Sequence, residues 1–300
     1  MSQWIHRTYF FVMKKIQTIT SAANPVIRFT HALIHTRGRA AKEGLFAVEG
    51  VRLAEMAVSS NWNIHHVLVT EQGINSTRAR KLFTQLCAAD VPIYCVSDTI
   101  FRTISETDAP QGILLVMERK IQDDDTLHEH TYTVGAAAPL YIALDRIQDP
   151  GNVGTILRTA DAVGASGVIL LRGTADAYSG KVVRATMGSL FHVPFITDIM
   201  EEELIRFSRQ RELALYVTVC HSMSCTYFSV DLCRPCILVF GNEANGVSDL
   251  LIAEGQGIHI PMYGGAESLN VSAAASAVLY EAMRQRRYAR GLDHSRLRLI

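Results

Sequence analysis

The sequence predicts an α/β protein of two domains, a smaller α/β domain over residues 15–120 and a larger one over 139–300 built on a mostly parallel sheet. Three observations carry this expectation. Short apolar runs alternate with stretches of helical periodicity along the chain, which is the pattern of strands separated by crossover helices. The chain has 300 residues, 48% of them hydrophobic and 19% charged, enough to bury one or two ordinary cores without disulfides or metals. Between the two regions, residues 121–138 lose all periodicity: the acidic run Asp123-Asp124-Asp125, then His128 and His130, then Gly135-Ala136-Ala137-Ala138-Pro139 read as a linker.

Taken in order, Asn24-Pro25 reads as a helix start, with Asn as the cap and Pro at the first helical position, where its missing N–H costs nothing. Val26, Phe29 and Leu33 then fall on one face, and Arg28, His31 and His35 on the opposite one. Strands follow at Phe46–Val48, Val67–Val69, Ile93–Val96 and Ile113–Val116, with helices around Val51–Val58 and Thr77–Ala89. In the second domain the strands are expected at Tyr141–Leu144, Val168–Leu171, His192–Ile196, Leu215–Val219, Ile237–Phe240 and Ile258–Pro261.

The charge balance is zero, with 29 Lys+Arg against 29 Asp+Glu, yet it is unevenly spread. Residues 1–122 carry a net +5 and the remainder −5; no acidic residue precedes Glu43, and the segment from Arg284 onward holds Arg284, Arg286, Arg287, Arg290, Arg296 and Arg298 against Asp293 alone. Two basic patches on a neutral chain suit a polyanion partner, and equally a solvated surface. The six cysteines, Cys87, Cys95, Cys220, Cys225, Cys233 and Cys236, lack a secretory context and read as reduced thiols of a cytoplasmic protein. Cys233-Arg234-Pro235-Cys236 with Cys220 and Cys225 could supply zinc thiolates, but Cys236 opens an apolar strand, and burial as small hydrophobes is the expectation; no metal is assigned. No stretch reaches the roughly 18 apolar residues a membrane span needs. The acid-free start, with its Arg, Ser and Thr, also fits an organellar transit peptide.

In open parallel sheets ligands sit beyond the carboxyl ends of the strands. Three loops there are polar and rich in glycine. The first is Asp145-Arg146-Ile147-Gln148-Asp149-Pro150-Gly151-Asn152-Val153-Gly154, running through Arg158 to Asp161, with Asn152 expected to cap the helix that follows. The second is Gly241-Asn242-Glu243-Ala244-Asn245-Gly246, and the third is Gly264-Gly265-Ala266-Glu267-Ser268-Leu269-Asn270, followed by the small-residue helix Val271–Ala277. Glycine bends let backbone N–H and C=O groups approach a ligand, which suits an adenosyl group. No G-x-G-x-x-G follows a strand and no G-x-x-x-x-G-K-[ST] is present, so dinucleotide and triphosphate sites of those types are excluded.

These segments resemble motifs 1, 2 and 3 of the SpoU/TrmH family of RNA ribose 2′-O-methyltransferases, in the SPOUT superfamily. The likeness covers about residues 139–290 and rests on Asp149-Pro150-Gly151-Asn152-Val153-Gly154 with Arg158-Thr159-Ala160-Asp161, on Phe240-Gly241-Asn242-Glu243, and on Ile260-Pro261-Met262 with Ser268-Leu269-Asn270-Val271-Ser272, in the family's order. Arg184–Pro194 resembles the family's middle segment. The first domain is similar to the ribosomal-protein-like RNA substrate-binding domain of long members, through Ile19–Pro25 and Phe46–Gly50.

The resemblance implies a trefoil-knotted catalytic domain, a homodimer, S-adenosylmethionine as cofactor, and RNA, ribosomal RNA favoured over transfer RNA, as substrate; a catalytically silent RNA-binding or ribosome-assembly factor is the alternative of another class. Carried over by position, Gly241, Asn242, Ile260, Pro261 and Leu269 would contact the cofactor, and Asn152, Arg158, Glu243, Ser268 and Asn270 would form the catalytic set. Arg28, His31, His35, Arg37, Arg39 and Lys42 would meet RNA phosphates. For Arg158 alone, a surface salt bridge with Asp161 is the competing structural role. The Ala273–Ala277 run fits either threading of the knot or packing on a partner subunit.

Overall fold

The structure is a computed structural model that describes residues 16–36, 38–120, 127, 138–219 and 224–288. Arg37, the acidic run Asp123–Asp125, His128, His130, Cys220 and the tail residues Arg290, Arg296 and Arg298 lie outside the described residues. The chain forms two compact units, one of Met1–Ile121 with Tyr178–Phe191 and the other of Gln122–Ala177 with His192–Ile300.

In the first unit β1 (Ile16–Ile19), β2 (Leu45–Glu49), β3 (Ile64–Val69), β4 (Ile93–Val96) and β5 (Ile113–Glu118) form a sheet of order β1-β4-β3-β5-β2. β1, β4 and β3 run parallel, while β5 is antiparallel to both of its neighbours. Helix α1 (Pro25–His35) starts as its sequence directs, with the Asn24 side chain accepting from the Val26 N–H at 2.9 Å and Pro25 in the first turn. Its buried stripe is Ile27, Thr30 and Leu33, with Val26 and Phe29 packed at the margin, so Arg28, His31 and His35 face solvent. Next come α2 (Arg39–Glu43), α3 (Val51–Ser59), α4 (Thr77–Ala88) and α5 (Asp98–Ile104).

The segment Tyr178–Phe191, which the sequence pattern places in the second domain, clusters with this first unit. Tyr178 and Phe191 join Phe46 and Trp62 in an aromatic group with ring centroids 4.9–6.5 Å apart. The Arg119 guanidinium lies over Tyr178 and the Lys120 ammonium over Trp62, at 4.7 and 5.0 Å, and Arg184 of helix α6 (Gly180–Ala185) pairs with Glu106 at 2.9 Å. Apolar rings find partners by packing rather than by sequence proximity, which is why a linear boundary misses them.

In the second unit β6 (Leu140–Asp145), β7 (Gly167–Leu171), β8 (Phe195–Ile199), β9 (Ala214–Thr218), β10 (Cys225–Thr226), β11 (Cys236–Gly241) and β12 (Gln256–His259) form an all-parallel sheet of order β10-β12-β9-β11-β6-β7-β8. The helices are α7 (Pro150–Val163), α8 (Glu201–Gln210), α9 (Asp249–Glu254) and α10 (Val271–Tyr288). Tyr141, Ala143, Ile169, Ile237 and Val239 sit on one face of the sheet in a core shared with Leu204 and Phe207 of α8 and Leu251 of α9. Within the expected linker, Leu127 is buried in this core and its carbonyl accepts from the Tyr141 hydroxyl at 3.4 Å.

Three expectations shift. The cap of α7 is Asp149, whose carboxylate accepts from the Asn152 N–H at 2.9 Å, and not Asn152, which is buried in the first turn. Pro150 dictates this, because proline fits the first helical position and forces the cap one residue earlier. β8 begins at Phe195 instead of His192, after Pro194, and β12 ends at His259, short of Pro261, since proline lacks the N–H a ladder needs. Parts of the basic C-terminal patch turn inward or pair: Arg284 bonds Glu281 at 2.7 Å, and Arg286 donates to the carbonyls of Leu232, Arg234 and Pro139 at 2.7, 2.8 and 3.2 Å and to that of Ala138.

Candidate active site

Because the second sheet is parallel, the loops after β6, β11 and β12 all leave from the same edge. β11 lies beside β6, with Gly241 in register with Asp145, so motif 2 opens directly alongside motif 1. Three of the sequence-predicted polar residues meet there. The Asn152 side-chain amide donates to Glu243 Oε1 at 2.8 Å, and its carbonyl oxygen accepts from the Asn270 amide at 3.0 Å. The two bonds fix the flip of both amides. Asn270 in turn caps α10, its oxygen accepting from the Ser272 N–H at 2.9 Å and hydroxyl at 2.6 Å. Glu243 Oε2 lies 3.5 Å from the Gln148 N–H. One chain of hydrogen bonds thus links residues from all three loops.

The remaining predicted residues are placed differently. Arg158 lies on the exposed stripe of α7 with Gly151 and Thr155, and forms no ion pair with a described residue. The carboxylate that could have bound it, Asp161, instead accepts from His192 Nδ1 at 3.3 Å. Ser268 is exposed, as is the whole loop from Met262 to Asn270, and unlike Asn270 it takes no part in the Asn152 chain. Ile260 and Pro261 are half-buried, and Leu269 is 43% exposed. Gly241 has a local reason to be glycine: a Cβ there would come within 2.3 Å of the Gly246 and Val247 backbone, where the loop closes through paired Asn242 and Gly246 N–H···O bonds of 3.0 and 2.9 Å. Asn242 shapes that turn, accepting from the Ala244 and Asn245 N–H groups at 3.0 Å each.

α10 packs on α7, with Thr159 and Ser276 hydroxyls 3.2 Å apart, so the small-residue helix Val271–Ala277 lies against the helix that carries Asn152. In the first unit Arg28, His31 and Lys42 are exposed. His35 reaches the Ile104 carbonyl at 3.2 Å, and Arg39 pairs with Glu43 at 2.8 Å, so these two are engaged locally.

Sequence reasoning did not single out Asp145 and Arg146. Asp145 is fully buried at the end of β6 and takes a two-pronged grip from Arg146, Nε to Oδ1 at 2.7 Å and Nη2 to Oδ2 at 3.0 Å. The hydrogen bond to Asp145 holds the Arg146 guanidinium above its ordinary pKa range, against the opposing effect of partial burial. The signal was present as an acidic residue ending an otherwise apolar strand, where a buried carboxylate demands a partner. Among the described residues no cluster of His, Cys, Asp and Glu could hold a metal ion, and no helix is long and apolar enough to cross a membrane.

Residues 139–280 match the model of the SpoU rRNA Methylase family, and residues 24–115 match an MRM3-like substrate binding domain. The chain is 33% identical over 262 residues to the 23S rRNA (uridine(2479)-2′-O)-methyltransferase of Streptomyces viridochromogenes, covering 85% of this chain and 88% of the relative. It is 30% identical to the 23S rRNA (guanosine(2553)-2′-O)-methyltransferase RlmP of Bacillus subtilis, with 88% and 98% covered. The crystal structure of an AdoMet-bound rRNA methyltransferase from Sinorhizobium meliloti superposes with a TM-score of 0.79 at 31% identity, covering 90% of this chain and 98% of that one. With a match to the family model over the second domain and similarity over nearly the full length of both chains, the chain belongs to the SpoU rRNA methylase family.

Proposed function

We propose that this protein is an S-adenosylmethionine-dependent methyltransferase that modifies a ribose 2′-hydroxyl in ribosomal RNA. The observation that carries the proposal is the hydrogen-bonded line Glu243–Asn152–Asn270, assembled from three loops at one edge of the parallel sheet in a chain of this family. The exposed residues near that line fit the cofactor: Leu269 and Met262 leave apolar surface open beside loops dense in backbone N–H and C=O groups, the mixture an adenosyl group and an amino-acid tail require. Gly241, Asn242, Ile260, Pro261 and Leu269 would hold it; when bound, the cofactor supplies an electrophilic sulfonium methyl group.

The chain's own contribution is positioning and electrostatics. Alignment of a hydroxyl with its target can be worth about 7–11 kcal/mol of barrier. Asn152 and Asn270, fixed by Glu243, offer donors and acceptors of defined direction for the ribose, and the exposed Ser268 hydroxyl would add to them once substrate is bound. Arg158, unpaired among the described residues, is free to stabilise a developing alkoxide and clamp the neighbouring phosphate. A guanidinium does not act as a base near neutral pH, so the hydroxyl proton passes to water or substrate phosphate. Arg28, His31, His35, Arg37, Arg39 and Lys42 of the first unit provide the phosphate contacts. The active form is a cytoplasmic homodimer whose catalytic unit is knotted through the loops of motifs 2 and 3.

The test is transfer of labelled methyl from S-adenosylmethionine to separated ribosomal and transfer RNA, with digestion to 2′-O-methyl nucleosides. Label in ribosomal RNA supports the proposal. Label confined to transfer RNA moves the substrate, and no label in naked RNA or ribosomal particles, with cofactor binding intact, refutes catalysis.

A further inference from the structure

We infer that the Asp145–Arg146 pair is the positioning element of this site, fixing the motif 2 loop so that Glu243 holds Asn152 and, through it, Asn270. The inference rests on the functional reading above for its catalytic consequence, but its structural core stands alone. Asp145 is fully buried, and a buried carboxylate is kept only where its oxygens are occupied. Both are: the Arg146 fork takes one each, and the Ser248 N–H adds a third bond to Oδ2 at 2.8 Å. Ser248 stands two residues past Gly246, the last residue of the motif 2 loop, whose opening residue Gly241 faces Asp145 in register across β6 and β11. Asp145 therefore grips the far end of the loop whose near end lies beside it.

Arg146 completes the clamp through its backbone. It sits in the left-handed region at φ +56°, a conformation that non-glycine residues adopt at a cost and that the surroundings must enforce. In that conformation its carbonyl accepts from the Asn242 side-chain amide at 2.7 Å, while the Asn242 oxygen holds the Ala244 and Asn245 N–H groups. The loop that carries Glu243 is thus tied to the end of β6 at both ends, by Arg146 through Asn242 and by Asp145 through Ser248. A guanidinium fork satisfies two carboxylate oxygens at fixed angle, which an ammonium does not.

The experiment compares Asp145→Asn, Arg146→Ala and Arg146→Lys with the native full chain. Hydrogen–deuterium exchange on the protein alone should quicken at the Asn245, Gly246 and Ser248 amides by about tenfold or more in the first two variants, with Ile142 and Ile169 of the inner strands unchanged. In steady-state methylation of ribosomal RNA, kcat should fall by up to about 100-fold while the KM for RNA stays within about twofold, the pattern of misplaced groups rather than lost binding. Arg146→Lys, which keeps the charge and loses the fork, should fall between native and Arg146→Ala. Unchanged loop exchange overturns the inference, as does an unchanged kcat with a raised KM for RNA, which would make Arg146 an RNA contact. If the native protein transfers no methyl group, the functional reading fails, and loop exchange alone still decides whether the pair is a clamp.

Discussion

Replacing Arg286 by alanine separates two roles for the basic C-terminal patch. In the structure its guanidinium collects the carbonyls of Leu232, Arg234 and Pro139 at 2.7, 2.8 and 3.2 Å, that of Ala138, and Cys236 Sγ at 3.4 Å. A hydrogen bond to a charged group contributes about 1.5–3 kcal/mol, and an acceptor that water can reach recovers most of that on substitution. Arg234 is exposed, and the Pro139 carbonyl also accepts from the Cys236 N–H, so of the four carbonyl bonds those to Leu232 and Ala138 go without ready replacement. The expected loss is about 3 kcal/mol, or a fall in Tm of about 6–12 °C for a unit of this size. Differential scanning calorimetry reads it, and a salt titration of RNA binding reads the alternative. Each phosphate contact contributes about 0.7–0.9 to the slope of log K against log salt. Arg286→Ala should leave that slope unchanged. A lowered slope with an unchanged Tm would refute the anchoring role and return Arg286 to the RNA-binding surface.

Three other outcomes are expected. Arg158→Ala should lower methylation by about 100- to 1,000-fold while calorimetric affinity for S-adenosylmethionine holds, as for loss of a group that stabilises developing charge; loss of cofactor binding would make the residue structural. Gly241→Ala drives a Cβ to 2.3 Å from the Gly246 and Val247 backbone, so it should disorder the motif 2 loop and abolish activity, visible as lost protection in amide exchange. His66 is buried, and its pKa is pushed down to about 4 by desolvation first and by His65 second. The Thr30 hydroxyl donates to the Val26 carbonyl and so accepts from His66 Nε2, leaving Nδ1 to receive the His65 proton, an arrangement only neutral His66 allows. The folded state thus binds fewer protons than the unfolded one, and stability is full above pH 6.5 and lost as pH falls toward 4. The loss is about 3 kcal/mol. Urea midpoints of the native protein and of His66→Gln should differ in that window, the variant losing the slope; equal slopes would refute it.

Much of the architecture was legible because it is local. The cap at Asn24, the solvent face of α1 and the runs that became β2 to β7 follow from periodicity and turn chemistry within a few residues, whereas the buried stripe of α1, expected at Val26, Phe29 and Leu33, is Ile27, Thr30 and Leu33, because the packing turns the helix by about one position. Helices α2 and α5, of five and seven residues, and strands β1 and β10, of four and two, were missed, since so short a run carries little periodicity and gains its place from a neighbour already packed. Motif order also pointed to Asn152, Glu243 and Asn270 as one set. Their bonding partners were not legible, because they are 91 and 118 residues apart in sequence.

By itself the sequence determined the fold class, the polar loops at the strand ends and the family, all properties of residue type and spacing along one dimension. Tertiary structure alone decided which of those residues touch. The strand order placed β11 beside β6 and so put Gly241 opposite Asp145; packing drew Tyr178–Phe191 into the first unit; and backbone carbonyls from the Pro139 and Leu232 segments turned Arg286 from a free surface cation into a half-buried brace. Periodicity encodes which side of an element is buried, whereas the partner of a buried charge is set by the neighbour that the sheet places next to it.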